Sequence, residues 1–68
     1  MMKDNFYLNF CRKHQHRDAY VLIVASTYDS AYKTAVAKFG MNWNQIKTES
    51  IFDKAQYRKG QIMRIEGG

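Results

Sequence analysis

The residues best suited to acid–base chemistry lie close together in one polar stretch of the chain. His14 and His16 are separated by one residue, and Arg17 follows directly. Imidazoles exchange protons near neutral pH, and cations such as Arg17 and Lys59 hold phosphate. These residue types together are the ones that a small ribonuclease or toxin uses. Catalysis also needs a cleft that excludes water, which one helix on one sheet hardly provides. We therefore expect no catalytic residues, and a His-dependent ribonuclease stays as an alternative.

Cys11, His14 and His16 also have the types and spacing of metal ligands. A structural zinc site needs four ligands, and the chain holds no further Cys or His. In an extended loop the two histidines point to one side and Cys11 to the other. We therefore expect no metal and no cofactor.

Basic residues surround two expected loops and the last expected strand. Eleven Lys and Arg face six Asp and Glu, a net charge of +5, which favours an acidic partner. Cations bind phosphate and flat rings stack on bases, so the partner is expected to be nucleic acid. An acidic surface of a protein that handles nucleic acids would fit equally. The candidate binding residues are Arg12, Lys13, Arg17, Trp43, Tyr57, Arg58, Lys59 and Arg64.

Two strands and a helix are expected in the first half of the chain. Phe6, Leu8 and Phe10 alternate with other residues, which indicates a half-buried strand. Residues 13–18 form a polar hairpin loop, and residues 20–25, apolar on both faces, suit a central strand. A helix is expected next, because apolar residues recur at helical spacing. A capping box of Ser26 and Asp29 would begin it, and Gly40 would end it in a left-handed conformation. Its apolar positions are Tyr28, Ala31, Tyr32, Ala35, Val36 and Phe39.

The second half of the chain carries weaker patterns. Residues 46–52 alternate loosely and are expected to form a third strand, and residues 61–65 a fourth. Residues 53–59 are expected to be an extended loop or one helical turn. The order is therefore β-β-α-β-β, which predicts one α+β domain over residues 1–68. The helix would pack on one face of an antiparallel sheet of three to four strands.

Aromatic residues exceed what one small core uses, since the chain holds five Tyr, four Phe and one Trp. Some are therefore expected on the sheet face away from the helix. An open aromatic face stacks single-stranded bases, or a second copy of the chain closes it and forms a homodimer.

Two further patterns resemble known families. The terminal Gly67-Gly68, after a β-β-α-β-β order, resembles ubiquitin-like sulfur carriers and protein modifiers, which implies activation of the terminal carboxylate. The second pattern is a strand-cap-helix unit that is similar to one common in small phage and mobile-element proteins. It consists of residues 24–27, Ala31, Ala35, residues 39–40, Trp43 and Ile46. That resemblance implies a non-enzymatic inhibitor of host machinery, as anti-CRISPR proteins are.

The compartment is expected to be the cytoplasm, of the host if a phage encodes the chain. The longest apolar run, residues 19–25, is far shorter than the roughly 20 residues that cross a bilayer. The unpaired Cys11 suits a reducing environment, and no membrane partner is expected.

Overall fold

The computed structural model describes residues 2–67. It has the expected β-β-α-β-β order and confirms a small α+β domain. The elements are β1 (Asp4–Asn9), β2 (Ala19–Ala25), α1 (Tyr28–Phe39), β3 (Gln45–Thr48) and β4 (Gly60–Glu66), with a 3-10 turn at Lys54–Gln56 before β4. No helix within residues 2–67 has the length and apolar character needed to cross a membrane.

The sheet is mixed, with strand order β3-β1-β2-β4. β1 pairs antiparallel with both β2 and β3, whereas β4 runs parallel to β2. The expected antiparallel sheet is thus mostly correct, with one parallel pair at an edge. β3 and β4 run in the same direction, so residues 49–59 must return the chain to the end where both strands begin.

Helix α1 begins one residue later than the sequence pattern suggests. Thr27 is the N-cap, and its Oγ1 accepts the backbone N–H of Ser30 at 3.1 Å. The expected capping box of Ser26 and Asp29 is therefore shifted, with Thr27 taking the capping position. The helix ends at Gly40 as expected, with φ of 65° and its N–H donating to the Val36 carbonyl. A positive φ of this kind favours glycine.

The main core lies between the sheet and α1. Alternate residues of each central strand point to this side, which follows from the two-residue repeat of a strand. Ala31 and Ala35 bring the helix close to the sheet, and Phe39 and Trp43 pack at the margin. The buried strand residues are Phe6, Leu8, Phe10, Val21, Ile23, Ala25 and Ile46.

A second, aromatic core covers the opposite face of the sheet. The connection over residues 49–59 lays Phe52 across Tyr7 and Tyr20, which are only 2% and 8% exposed. The ring of Phe52 lies between those of Tyr7 and Tyr57, with centroid distances of 4.7 and 4.8 Å. The Tyr7 hydroxyl donates to Glu49 at 2.8 Å, and this bond holds the pKa of the Glu49 carboxyl below its usual range.

The expectations of a half-buried β1 and an open aromatic face are therefore wrong. Tyr7 and Asn9 of β1 are buried as well as Phe6 and Leu8. The expected third strand stops at Thr48, because the chain turns there and crosses the sheet. Residues of the same chain thus occupy the place expected for bases or for a second copy.

Candidate nucleic-acid interface

Two segments distant in sequence meet where β2 and β4 begin. Ala19 pairs with Gly60 in the parallel ladder, and the N–H of Lys59 donates to the Asp18 carbonyl at 2.8 Å. The Lys59 ammonium also lies 3.5 Å from the Gln15 carbonyl. We call residues 11–18 and 57–59 together the basic end.

The basic end carries most of the net charge of the chain. Its two segments hold five Lys or Arg and one acidic residue, so +4 of the net +5 lies there. The five cations are Arg12, Lys13, Arg17, Arg58 and Lys59, and all of them are exposed. Clustered like charges raise the local potential and attract anions.

Asp18 is the acidic residue that holds the two segments together. Its carboxylate accepts Nη2 of Arg58 at 2.9 Å and lies 3.9 Å from Nε of Arg17. The hydrogen bond from Arg58 holds the pKa of Asp18 below its usual range, with further help from the positive charges of Arg17 and Lys59. Both guanidinium groups are therefore close to one carboxylate, beside the N-terminal ends of β2 and β4.

Arg12 and Lys13 differ from the arginines bound to Asp18. Both are exposed, and neither has a carboxylate within ion-pair distance in the part of the chain that the structure describes. Their charges are therefore available to an external anion without breaking an internal ion pair.

The two histidines shape the loop of the basic end. Nδ1 of His14 accepts the backbone N–H of His16 at 3.0 Å, and its Nε2 lies 3.0 Å from the side-chain amide of Asn42. The His14 ring stacks on Phe10, with centroids 4.6 Å apart. The loop is thereby packed onto the margin of the main core. Between Met2 and Gly67, no three His, Cys, Asp or Glu side chains are grouped so that they could hold a metal ion.

The candidate binding residues do not form one patch. Tyr57 belongs to the basic end, where it is half-buried in the second core and its hydroxyl accepts Nδ2 of Asn9 at 3.0 Å. Trp43 packs on the opposite, helix side of the sheet and donates from Nε1 to the Gly40 carbonyl. Arg64 lies further along β4, opposite Leu22, and pairs with Glu66 at 3.1 Å. The structure thus groups Arg12, Lys13, Arg17, Tyr57, Arg58 and Lys59, and separates Trp43 and Arg64 from them.

Sequence reasoning missed Asn9 and Asp18 as organisers of this end. Asn9 is 5% exposed, and its side-chain oxygen accepts the N–H of Gln45 at 2.9 Å while its amide donates to Tyr57. A polar residue between the apolar Leu8 and Phe10 was the available signal for Asn9. Asp18, the one acidic residue among the cations of its loop, was the corresponding signal for an anchoring carboxylate.

Gly67 lies against the fold instead of extending from it. It is buried, and its N–H donates to the Val24 carbonyl at 2.7 Å. A Cβ at this position would come within 2.5 Å of Oγ1 of Thr34. Gly68, the other half of the diglycine pattern, lies outside the described residues.

Comparison with protein-family models, with curated proteins and with solved structures found no match for this chain.

Proposed function

We propose that the protein is a non-enzymatic binding module that holds the phosphate backbone of a nucleic acid at its basic end. The observation that carries the proposal is the +4 charge gathered in two segments that the β2–β4 pairing brings side by side. Lys and Arg that approach phosphates release condensed counterions, which drives association. Arg12 and Lys13 supply charges that pair with no carboxylate among residues 2–67, while Asp18 contacts Arg17 and Arg58.

The burial of the tyrosines on the second face of the sheet determines the expected mode of binding. Tyr7 and Tyr20 lie beneath Phe52 and are closed to bases, and Tyr57 is partly buried in the same cluster. Phosphate contacts position a nucleic acid without reading its sequence. Binding is therefore expected to be weakly selective for sequence and strongly dependent on salt.

The first prediction concerns Arg12 and Lys13. The double variant Arg12→Gln/Lys13→Gln should bind a short labelled oligonucleotide more weakly than the native chain. The slope of log affinity against log salt concentration should fall by about 1 for each cation that no longer binds a phosphate. Fluorescence anisotropy across a salt series measures both quantities, with single-stranded and duplex probes.

The matched control is the double variant Lys3→Gln/Lys33→Gln. It removes the same charge from exposed positions ahead of β1 and on α1, outside the basic end. An equal loss of affinity in both variants would show that overall charge, not the basic end, is responsible. If neither probe binds at low salt, the nucleic-acid proposal fails and an acidic protein surface becomes the partner to test.

A further inference from the structure

Exposed apolar side chains are concentrated in a groove between α1 and the free edge of β3. Tyr28, Met41 and Ile51 are 50%, 69% and 67% exposed. The groove has a volume of about 500 Å³, within the range of ligand-binding clefts. Its apolar lining is Tyr28, Tyr32, Met41, Trp43, Ile46 and Ile51.

The groove follows the edge of the strand. Residues 45–47 of β3 all line it, although successive side chains of a strand point to opposite faces. Residues whose side chains point to opposite faces can line the same groove only along the edge of the strand. Among residues 2–67, β3 pairs only with β1, so the backbone groups of β3 that point away from β1 lie at this edge and can pair with a further strand.

The two faces of β3 differ in chemistry at this edge. Ile46 is opposite Leu8 and lies on the apolar helix side, whereas Lys47 is opposite Tyr7 and lies on the other side. Lys47 is the one charged residue of the strand. Among residues 2–67 no carboxylate lies within ion-pair distance of it. A strand added here would place alternate side chains against the apolar groove and the others beside a cation.

We propose that the edge of β3 binds an extended segment of a partner protein in which apolar and acidic residues alternate. Backbone pairing with β3 would hold the segment. Its apolar side chains would contact Trp43 and Met41, and its carboxylates would lie on the side of Lys47. None of the residues that line this groove belongs to the basic end, so the inference does not depend on nucleic-acid binding.

A second copy of this chain fits the edge less well. It would offer the same β3, whose charged residue is again Lys47, so it supplies no opposite charge within the paired strands. The net charge of +5 also favours an acidic partner over a second copy.

The test uses a synthetic labelled peptide in which valine alternates with glutamate. Because the basic end also attracts acidic peptides, binding is mapped by amide NMR shifts as well as by anisotropy. We expect shifts at residues 41–51, retained in the Arg12→Gln/Lys13→Gln variant. The double variant Met41→Gln/Ile51→Gln should bind about tenfold more weakly, because it removes two exposed apolar side chains from the groove. Lys47→Glu should reverse the preference towards a valine–lysine peptide.

The other edge of the sheet provides the matched control. Ile62→Gln/Met63→Gln changes two exposed apolar residues of β4 and should leave peptide affinity unchanged. Methylation of alternate peptide amides should abolish binding, since it removes the donors that pair with β3. Circular dichroism confirms that each variant is folded.

Several results would overturn the proposal. These are shifts confined to the basic end, equal affinity for the methylated peptide, or equal loss in the β4 control. Concentration-dependent dimerisation that Met41→Gln/Ile51→Gln abolishes would assign the edge to a second copy. Absence of peptide binding in the folded native chain would exclude strand addition by this class of segment.

Discussion

At the scale of single residues, Asn9 connects three parts of the fold: β1, the start of β3 and the aromatic core. It is buried in β1, and its side chain reaches both the first residue of β3 and the ring cluster that ends at Tyr57. The Asn9 carbonyl also accepts the N–H of Asn44. The Asn9 side-chain amide therefore contacts both the start of β3, which borders the groove, and Tyr57, which precedes Arg58. The candidate binding surfaces on two sides of the molecule share this support.

Replacing Asn9 by alanine should lower the free energy of unfolding by about 2 kcal/mol. The substitution would remove two part-buried hydrogen bonds, one from the Gln45 N–H and one to the Tyr57 hydroxyl, and each such bond contributes about 0.5–1.5 kcal/mol. Urea unfolding measures the change. Asn5→Ala is the control on the same strand, since the side-chain amide of Asn5 donates to Glu49 in an exposed bond of 3.2 Å. Equal effects of the two substitutions would contradict this role for Asn9.

At the scale of elements, the parallel pairing of β2 and β4 creates the basic end. A β4 paired elsewhere would carry Arg58 and Lys59 away from the loop of residues 11–18. Asp18 supports the pairing from the side chain, and Lys59 supports it from the backbone. The geometry of the proposed phosphate site thus depends on how two strands align, and Asp18 supplies the carboxylate in its two segments.

The pairing should weaken in acid through Asp18. Its pKa is lowered in the folded chain, mainly by Arg58, so its stabilising effect is present above the unfolded pKa. That effect is lost as the pH falls below about 4 and through the folded pKa. Thermal unfolding of Asp18→Asn should show less acid destabilisation than the native chain between neutral pH and pH about 2.

Asp29→Asn provides the comparison for this pH series. It removes a carboxylate from the exposed pair with Lys33 on α1, so it should retain the native acid destabilisation. A native-like acid profile in Asp18→Asn would show that Asp18 does not couple the two segments.

The elements that depend on local patterns could be predicted from the sequence, and those that depend on distant contacts could not. Alternation around Phe6 and Leu8 revealed β1, and Gly40 marked the end of α1. The burial of Tyr7 depends on Phe52, far along the chain, and the pattern of β1 holds no trace of it. The five cations of the basic end were identified, but their separation from Arg64 and Trp43 depended on strand pairing.

At the scale of the whole molecule, the single sheet is covered on both faces. A chain of this size buries only about 60% of its unfolded surface, so a helix on one face would leave little core. The aromatic core adds Tyr7, Tyr20 and Phe52 on the other face. Its covering layer is a connection whose regular structure is one short 3-10 turn, so its stability depends on ring packing.

Phe52→Ala should destabilise the whole domain. Removing a buried phenylalanine costs about 3–5 kcal/mol, a large part of the roughly 5–15 kcal/mol typical of a folded domain. Near-UV circular dichroism of the tyrosines should weaken, and the urea midpoint should fall sharply. Ile51→Ala, at an exposed neighbouring position, should change stability by less than about 0.5 kcal/mol. A small effect at Phe52 would show that the second core is dispensable.

The connection over residues 49–59 has a consequence for how the two proposed surfaces behave together. It carries Ile51 to the groove, Phe52 to the aromatic core, and Arg58 and Lys59 to the basic end. If this segment detached as a cooperative unit, both surfaces would lose residues in the same event. The β1–β2 hairpin would stay paired, and α1 would stay packed on it. A ligand at either surface would then favour the attached state, so occupancy of one surface would raise the population in which the other surface is complete.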